Sequence, residues 1–284
     1  MKTFIECIPC LIRQAVDTAK FVTEDTELLQ RIVKECLILA ADFDISQPPP
    51  ASARRIYRKI CEMTGNNDPY QEVKARFNRM VLAMLPELIR IVGSSGDPFM
   101  TALRMAIAGN VIDFGVNGGV SENAVKRAIE NSIQEPLSGD ISALRIAVER
   151  AGSILYLADN AGEIVLDRLF IGYLPADRVT LAVRGGPAIN DATLADAYAA
   201  GLHEMVRVID NGYDAPGTLL DQCSPEFQKV FADADLVISK GQGNFETLIG
   251  VDKNIFYLFK VKCAVAAMLS DLPLGTYAVV NGNA

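Results

Sequence analysis

Ile154-Leu155-Tyr156-Leu157-Ala158-Asp159-Asn160-Ala161-Gly162-Glu163 passes from an apolar run into a polar turn, and Ile164-Val165-Leu166 to Leu169-Phe170 continues it with helical spacing. An apolar run this short reads as a strand buried on both faces, stopped by Asp-Asn-Ala-Gly. A strand–turn–helix junction aims side chains into the crevice at the carboxyl end of a parallel sheet, where open α/β folds bind ligands. Two oxygen-bearing side chains there, beside a helix N-terminus, suit a hard cation and an anionic ligand. Taken singly, the same turn is equally well explained as a helix cap.

The pattern recurs downstream. Apolar runs at 179–183, 205–209, 236–239, 255–259 and 277–280 join 153–158 as strands, and 192–201 and 227–231 have room for crossover helices. Alternating β and α implies a mainly parallel sheet with covered faces. Upstream, Leu11-Ile12, Ala15-Val16, Ala19 and Val22 keep a helical period, as do Leu28-Leu29, Ile32-Val33, Cys36-Leu37 and Ala40. Thr26 or Asp25 opens the second of these helices. Pro48-Pro49-Pro50 interrupts helix, and helical spacing resumes over 51–63 and 69–91. Gly93-Ser94-Ser95-Gly96-Asp97-Pro98 reads as a loop. The expected organisation is therefore a helical region over 1–96 and an α/β domain over 97–284, opening with helices near 100–108, 121–133 and 141–150.

Bulk properties exclude more than they identify. A chain of 284 residues, half of them hydrophobic, buries a sizeable core. Its formal charge of −8, with no long basic run, argues against a nucleic-acid partner. No apolar stretch is long enough to span a bilayer, and the N-terminus lacks a secretory apolar segment. A cytoplasmic location and six reduced cysteines are expected. The only histidine, His203, is expected to be structural, so neither a His-rich metal site nor a Ser-His-Asp triad is available.

The strand ends are more informative than the strands. They read Asp159-Asn160, then Arg184-Gly185-Gly186-Pro187 through Asn190-Asp191, then Asp210-Asn211-Gly212, then Lys240-Gly241-Gln242-Gly243-Asn244, then Lys260-Val261-Lys262. In a parallel sheet these project from one edge. Carboxylates and amides suit Mg²⁺ or Mn²⁺, while glycine amides and lysines hold phosphate oxygens. Each piece has a plainer reading: an ordinary βα turn, a strand end, a solvated edge charge. The Gly241-Gln242-Gly243 turn is no dinucleotide fingerprint, because Glu246 stands where a third glycine belongs. Four of these five segments, those beginning at Asp159, Arg184, Lys240 and Lys260, together favour a ligand site.

These motifs, in this order and with Asn190-Asp191-Ala192-Thr193, Ser239 to Glu246 and Lys260-Val261-Lys262-Cys263, resemble the DUF89, or ARMT1-like, family of metal-dependent damage-control phosphatases. Gly109-Asn110-Val111-Ile112-Asp113-Phe114 and Cys7-Ile8-Pro9-Cys10 resemble its stand-alone archaeal and bacterial branch, so the likeness covers nearly the whole chain. The resemblance implies a Rossmann-like α/β/α core preceded by a helical region. It also implies hydrolysis of phosphate monoesters of small metabolites, supported by Mn²⁺, Co²⁺, Ni²⁺ or Mg²⁺. Carried over by position, the metal ligands fall on Asp159, Asn160 and Asp191, the phosphate-holding lysine on Lys262, and the substrate loop on Gly241 to Phe245. Sugar-phosphate members carry Arg-Thr-x-Lys where this chain reads Phe259-Lys260-Val261-Lys262, which puts that specificity in doubt.

The expected chemistry is phosphoryl transfer to water. Asp159 serves either as nucleophile or as orienter of the attacking water, with Lys262, Lys240 and the amides of Gly241 and Gly243, beside Asn244, clamping phosphate. Glu163 either positions that water or is a first-turn acid favoured by the helix dipole. Arg184 is either a phosphate contact or the partner of a ligating acid. Asn110 and Asp113 either reach the crevice or form a capped turn. Cys7 and Cys10 have the spacing of a second metal or redox site, with Cys36, Cys61, Cys223 and Cys263 available to converge; buried structural thiols are the other reading. Two further functions fit the same crevice: a non-catalytic, metal-dependent phosphometabolite-binding protein, and an adenosylmethionine-dependent methyltransferase. The acid pair Asp159/Asp191 speaks for a cation, which phosphate binding alone and methyl transfer do not need.

Overall fold

The computed structural model describes residues 1–109 and 122–282; Asn110 and Asp113 lie outside them. The helical region begins with α1 (Cys7–Val22), α2 (Thr26–Ala41) and α3 (Pro49–Thr64). Asp25 caps α2, accepting from Glu27 N at 2.9 Å and Leu28 N at 3.2 Å. The proline run sits at the start of α3, where a missing N–H costs nothing. Leu11, Ala15, Ala19, Ile32, Cys36, Ala53, Ile56 and Ile60 from the three helices close a small core of their own.

Next come α4 (Gln71–Gly93), α5 (Pro98–Gly109), α6 (Glu122–Ser132), β1 (Leu137–Gly139) and α7 (Ile141–Arg150). The α/β succession then runs β2 (Ile154–Leu157), α8 (Glu163–Ile171), β3 (Val179–Val183), α9 (Leu194–Ala199), β4 (Arg207–Asp210), α10 (Pro225–Asp233), β5 (Leu236–Lys240), α11 (Gln242–Leu248), β6 (Ile255–Lys260), α12 (Ala264–Ser270) and β7 (Tyr277–Asn281). The seven strands lie in the order β1-β7-β6-β5-β2-β3-β4. From β6 to β4 every pairing is parallel, as expected of strands such as β2 and β5 in which every residue is buried.

Two features depart from the expectation set by the sequence. β7 runs antiparallel to β6, its Tyr277 opposite Lys260, so after the short α12 the chain returns at the edge it had left. Leu137-Ser138-Gly139 forms a seventh strand beside β7, too short and too polar to announce itself. One face of the sheet packs on α4, α5 and α8, with Phe77, Val81, Leu103, Ile107, Leu166 and Phe170 against Tyr156, Leu181 and Ile238. The other face packs Leu155, Val237 and Tyr257 with Phe227 and Phe245. Among the described residues no helix is long and apolar enough to cross a membrane.

Candidate active site

The order of strands reverses between β2 and β5: β3 and β4 extend the sheet on one side of β2, β5 and β6 on the other. At such a switch point the loops leave in opposite directions and open a crevice. Leu157 pairs with Ser239, which sets Asp159 opposite Gly241. The approach is so close that a Cβ on Gly241 would fall 2.0 Å from Asp159 Oδ2, and Gly241 holds φ +79°.

A second loop is zipped onto the first. Asn160 and Asp191 form an isolated antiparallel bridge, Ala161 N donates to Asn190 O at 2.9 Å, and Ala192 N donates to Asp159 O at 2.7 Å. Asp159, Asn160 and Asp191 thereby line one cavity of about 390 Å³, together with Lys262 and Gly243. The Asp191 loop turns tightly, Asp191 N donating to Ala188 O at 3.0 Å, and Ile189 within it holds φ +54°. That is rare for a β-branched residue; its side chain packs with Tyr57 and Tyr70 of the helical region. The same region supplies the opposite wall, from Cys7, Cys10 and Leu11 of α1 and Pro49, Pro50 and Ala53 of α3.

The carboxylates are crowded. Burial pushes the Asp159 carboxyl well above its usual range, Glu163 and Asp191 push it further, and Arg184 and Lys262 oppose them. Asp191 is raised by burial against the pull of Arg184. Arg184, 2% exposed, donates from Nε to Asp191 Oδ2 at 2.6 Å and from Nη1 to Thr218 Oγ1 at 3.2 Å. Its Nη2 lies 3.8 Å from Asp159 Oδ1 and, among the described residues, has no hydrogen-bond acceptor. Of the two readings of Arg184, the geometry gives the partner of the acid.

Several expected substrate contacts point elsewhere. Lys240 is fully buried and aims away from the cavity; its Nζ donates to Ala106 O at 2.8 Å, to Glu163 Oε1 at 2.7 Å and to Asp167 Oδ1. All three ammonium protons are used, so Lys240 does not clamp phosphate. Burial works against its charge, but Asp167 and Glu163 outweigh that and raise its pKa. Glu163 is likewise fully buried; its Oε2 accepts from Asn160 Nδ2 at 2.9 Å, so it orients a candidate ligand and does not face the cavity as a water-positioning base would. Gly109 permits this arrangement, since a Cβ there would meet Glu163 Cγ at 2.8 Å. Asn244 is buried too, donating to Lys240 O at 2.7 Å and Ala158 O at 3.2 Å and accepting from Thr218 Oγ1 at 2.8 Å. It fastens β5 to β2 and does not touch the cavity. Gly241 packs on Asp159 instead of lining the cavity.

The supporting groups were not evident from the sequence. Asp167 accepts from Tyr156 OH at 2.7 Å and is pushed up to about 6 by burial, with Lys240 opposing. Asn78 of α4 accepts from Gly162 N at 2.7 Å and donates to Asp196 Oδ1 at 2.7 Å, pinning the Asp159 turn from beneath. One signal was present: Glu163 and Asp167 are two acids one turn apart in a helix whose other residues, Arg168 apart, are apolar, and burying such a pair requires a cation. Cys263 joins Cys7 and Cys10 on the cavity wall, whereas Cys36 and Cys223 are buried in the two smaller cores. Burial raises the Cys7 and Cys10 thiols. Among the described residues no three His, Cys, Asp or Glu side chains are grouped to hold a metal ion; beside the Asp159/Asp191 pair the cavity is lined by the Asn160 amide.

An open α/β fold with a carboxylate–amide site at its switch point is thus the class that fold and site define. The chain belongs to the damage-control phosphatase ARMT1-like domain family, whose profile matches residues 3–277. It is 37% identical to a damage-control phosphatase of Archaeoglobus fulgidus over 94% of each chain, and 34% identical to one of Pyrococcus horikoshii over 97% of this chain and 96% of that one. The crystal structure of a DUF89 family protein from P. horikoshii superposes with a TM-score of 0.89 at 33% identity, covering 99% of both chains.

Proposed function

We propose that the protein is a metal-dependent phosphatase that hydrolyses phosphate monoesters of small metabolites. The observation that carries this reading is the pair Asp159/Asp191: two buried carboxylates raised by burial, the first also by the second, zipped into one cavity with Asn160 between them and Lys262 beside them. Buried like charges of this kind fit a divalent cation. The relatives named as damage-control phosphatases support the same conclusion.

Asp159, Asn160 and Asp191 would hold the ion, which supplies charge neutralisation at the phosphoryl group when bound. Glu163 keeps the Asn160 amide turned, so that its oxygen and not its nitrogen is available to the cavity. Arg184 fixes Asp191 and holds its Nη2 3.8 Å from Asp159 Oδ1. Lys262 and the Gly243 backbone hold phosphate oxygens, and Asp159 acts as nucleophile or as orienter of the attacking water. Asp159→Asn and Asp191→Ala are each expected to lower kcat/KM by more than about a hundredfold, beyond the cost of losing an outer partner, with the far-UV spectrum unchanged. Phosphate release measured with Mn²⁺, Co²⁺, Ni²⁺ and Mg²⁺, and with chelator, is the test. Full activity in either variant refutes the assignment.

Metal should also stabilise the fold. At a concentration about a hundred times its Kd, Mn²⁺ contributes about 2.7 kcal/mol, which raises Tm by roughly 5–10 °C in a chain of this size. Because the Asp159 and Asp191 carboxyls are raised, protons compete with the ion, and the shift should shrink as pH falls from 8 to 5. Differential scanning fluorimetry across that range checks it.

A further inference from the structure

We propose that the cavity selects phosphate monoesters whose remaining body is uncharged or cationic and turns away esters that carry a second anionic group. The inference rests on the phosphatase reading and adds the charge of the substrate to it. Among the described residues lining the cavity, Lys262 is the single cationic side chain, set against the carboxylates of Asp159, Asp191, Glu6 and Glu246. Of the nearby cations, Arg184 is committed to Asp191, Lys240 to Glu163 and Asp167, and Arg54 and Arg58 to Asp214 at 2.7 and 2.8 Å. The Met1 ammonium donates to Glu246 O at 2.7 Å and its pKa is lowered by burial, and Arg13 of α1 is exposed and does not line the cavity. Residues 110–121 contain no lysine, arginine or histidine, so they add no positive charge wherever they lie.

A divalent ion held by Asp159 and Asp191 would, together with Lys262 and the Arg184 guanidinium beside those acids, balance one phosphate dianion. A second anion on the substrate has no such partner and meets Glu6 and Glu246. Glu246 is held against the wall by Gln242, whose Nε2 donates to its Oε1 at 2.8 Å. The start of α3 reinforces the bias. A helix N-terminus ordinarily offers free N–H groups to an anion, but here its first two positions are Pro49 and Pro50, both on the cavity wall and both without an N–H. The wall therefore repels through its acids and withholds the donors that would compensate.

Calorimetric titration of the Mn²⁺-loaded protein at pH 8 with three phosphonates of matched length, none of them hydrolysable, isolates the charge of the body. Propylphosphonate and 2-aminoethylphosphonate are expected to bind at least about tenfold more tightly than 2-carboxyethylphosphonate. In the double variant Glu6→Gln/Glu246→Gln, the ratio should narrow to within about threefold through tighter binding of the carboxylate. Equal affinities in the native protein, or a ratio that the double variant leaves unchanged, overturn the charge selection while the phosphate site stands. Binding of none of the three overturns the phosphate site and this inference with it.

Discussion

Lys240→Met is expected to destabilise the protein by about 3–5 kcal/mol, the usual cost of removing one partner from a buried ion cluster. Methionine fills the volume but removes the charge that Glu163 and Asp167, both fully buried, share. Tm should fall by about 10 °C or more, a drop that thermal melts read directly. The loss should spread to the cavity, since Glu163 fixes the Asn160 amide, so Mn²⁺ affinity should fall as well. Adding Asp167→Asn to Lys240→Met removes one uncompensated charge and should restore part of the stability. A lysine that merely clamped phosphate would give the opposite pattern, with Tm kept and KM raised. That outcome would return Lys240 to the substrate.

Gly241→Ala is the second large effect. At φ +79° and ψ 158° the backbone is in a region essentially reserved for glycine, which alone costs on the order of 1–3 kcal/mol. The new methyl would also occupy the position of the Asp159 carboxylate, 2.0 Å from Oδ2. Either Asp159 leaves the cavity or β5 separates from β2. Both outcomes remove a candidate metal ligand, so Mn²⁺ should no longer raise Tm, and phosphatase activity should be lost with it. Retention of the Mn²⁺-induced shift would mean that Asp159 does not hold the ion.

Much of this was legible in the sequence. Strands buried on both faces write themselves as apolar runs, and the polar segments that follow such runs emerge at the sheet edge; the family resemblance singles out Asp159, Asn160, Asp191 and Lys262 within those segments, and all four line one cavity. Lys240 misled because a lysine beside glycines resembles a phosphate loop. It is in fact the last residue of β5, and strand alternation puts it on the face of Leu236 and Ile238, toward α5 and α8. A one-residue uncertainty in where a strand ends reverses the direction of a side chain, and that is finer than composition resolves. Asn244 turns inward, and Glu163 takes the second of its two readings, for a related reason: the first turn of a helix after a strand end carries both cavity-facing and inward-facing residues. Asn78 was out of reach altogether, since nothing in the sequence ties α4 to a turn 84 residues later.

Ile189 shows how the two parts of the chain depend on each other. Its backbone conformation carries a cost on the order of 1–3 kcal/mol, offset in part by the packing of its side chain with Tyr57 and Tyr70. The turn that presents Asp191 is therefore a loaded spring, and its latch belongs to helices outside the sheet. Were those helices to let go, the turn would relax toward an ordinary conformation and carry the carboxylate out of register with Asp159. The helical region is then more than a wall: it arms the site.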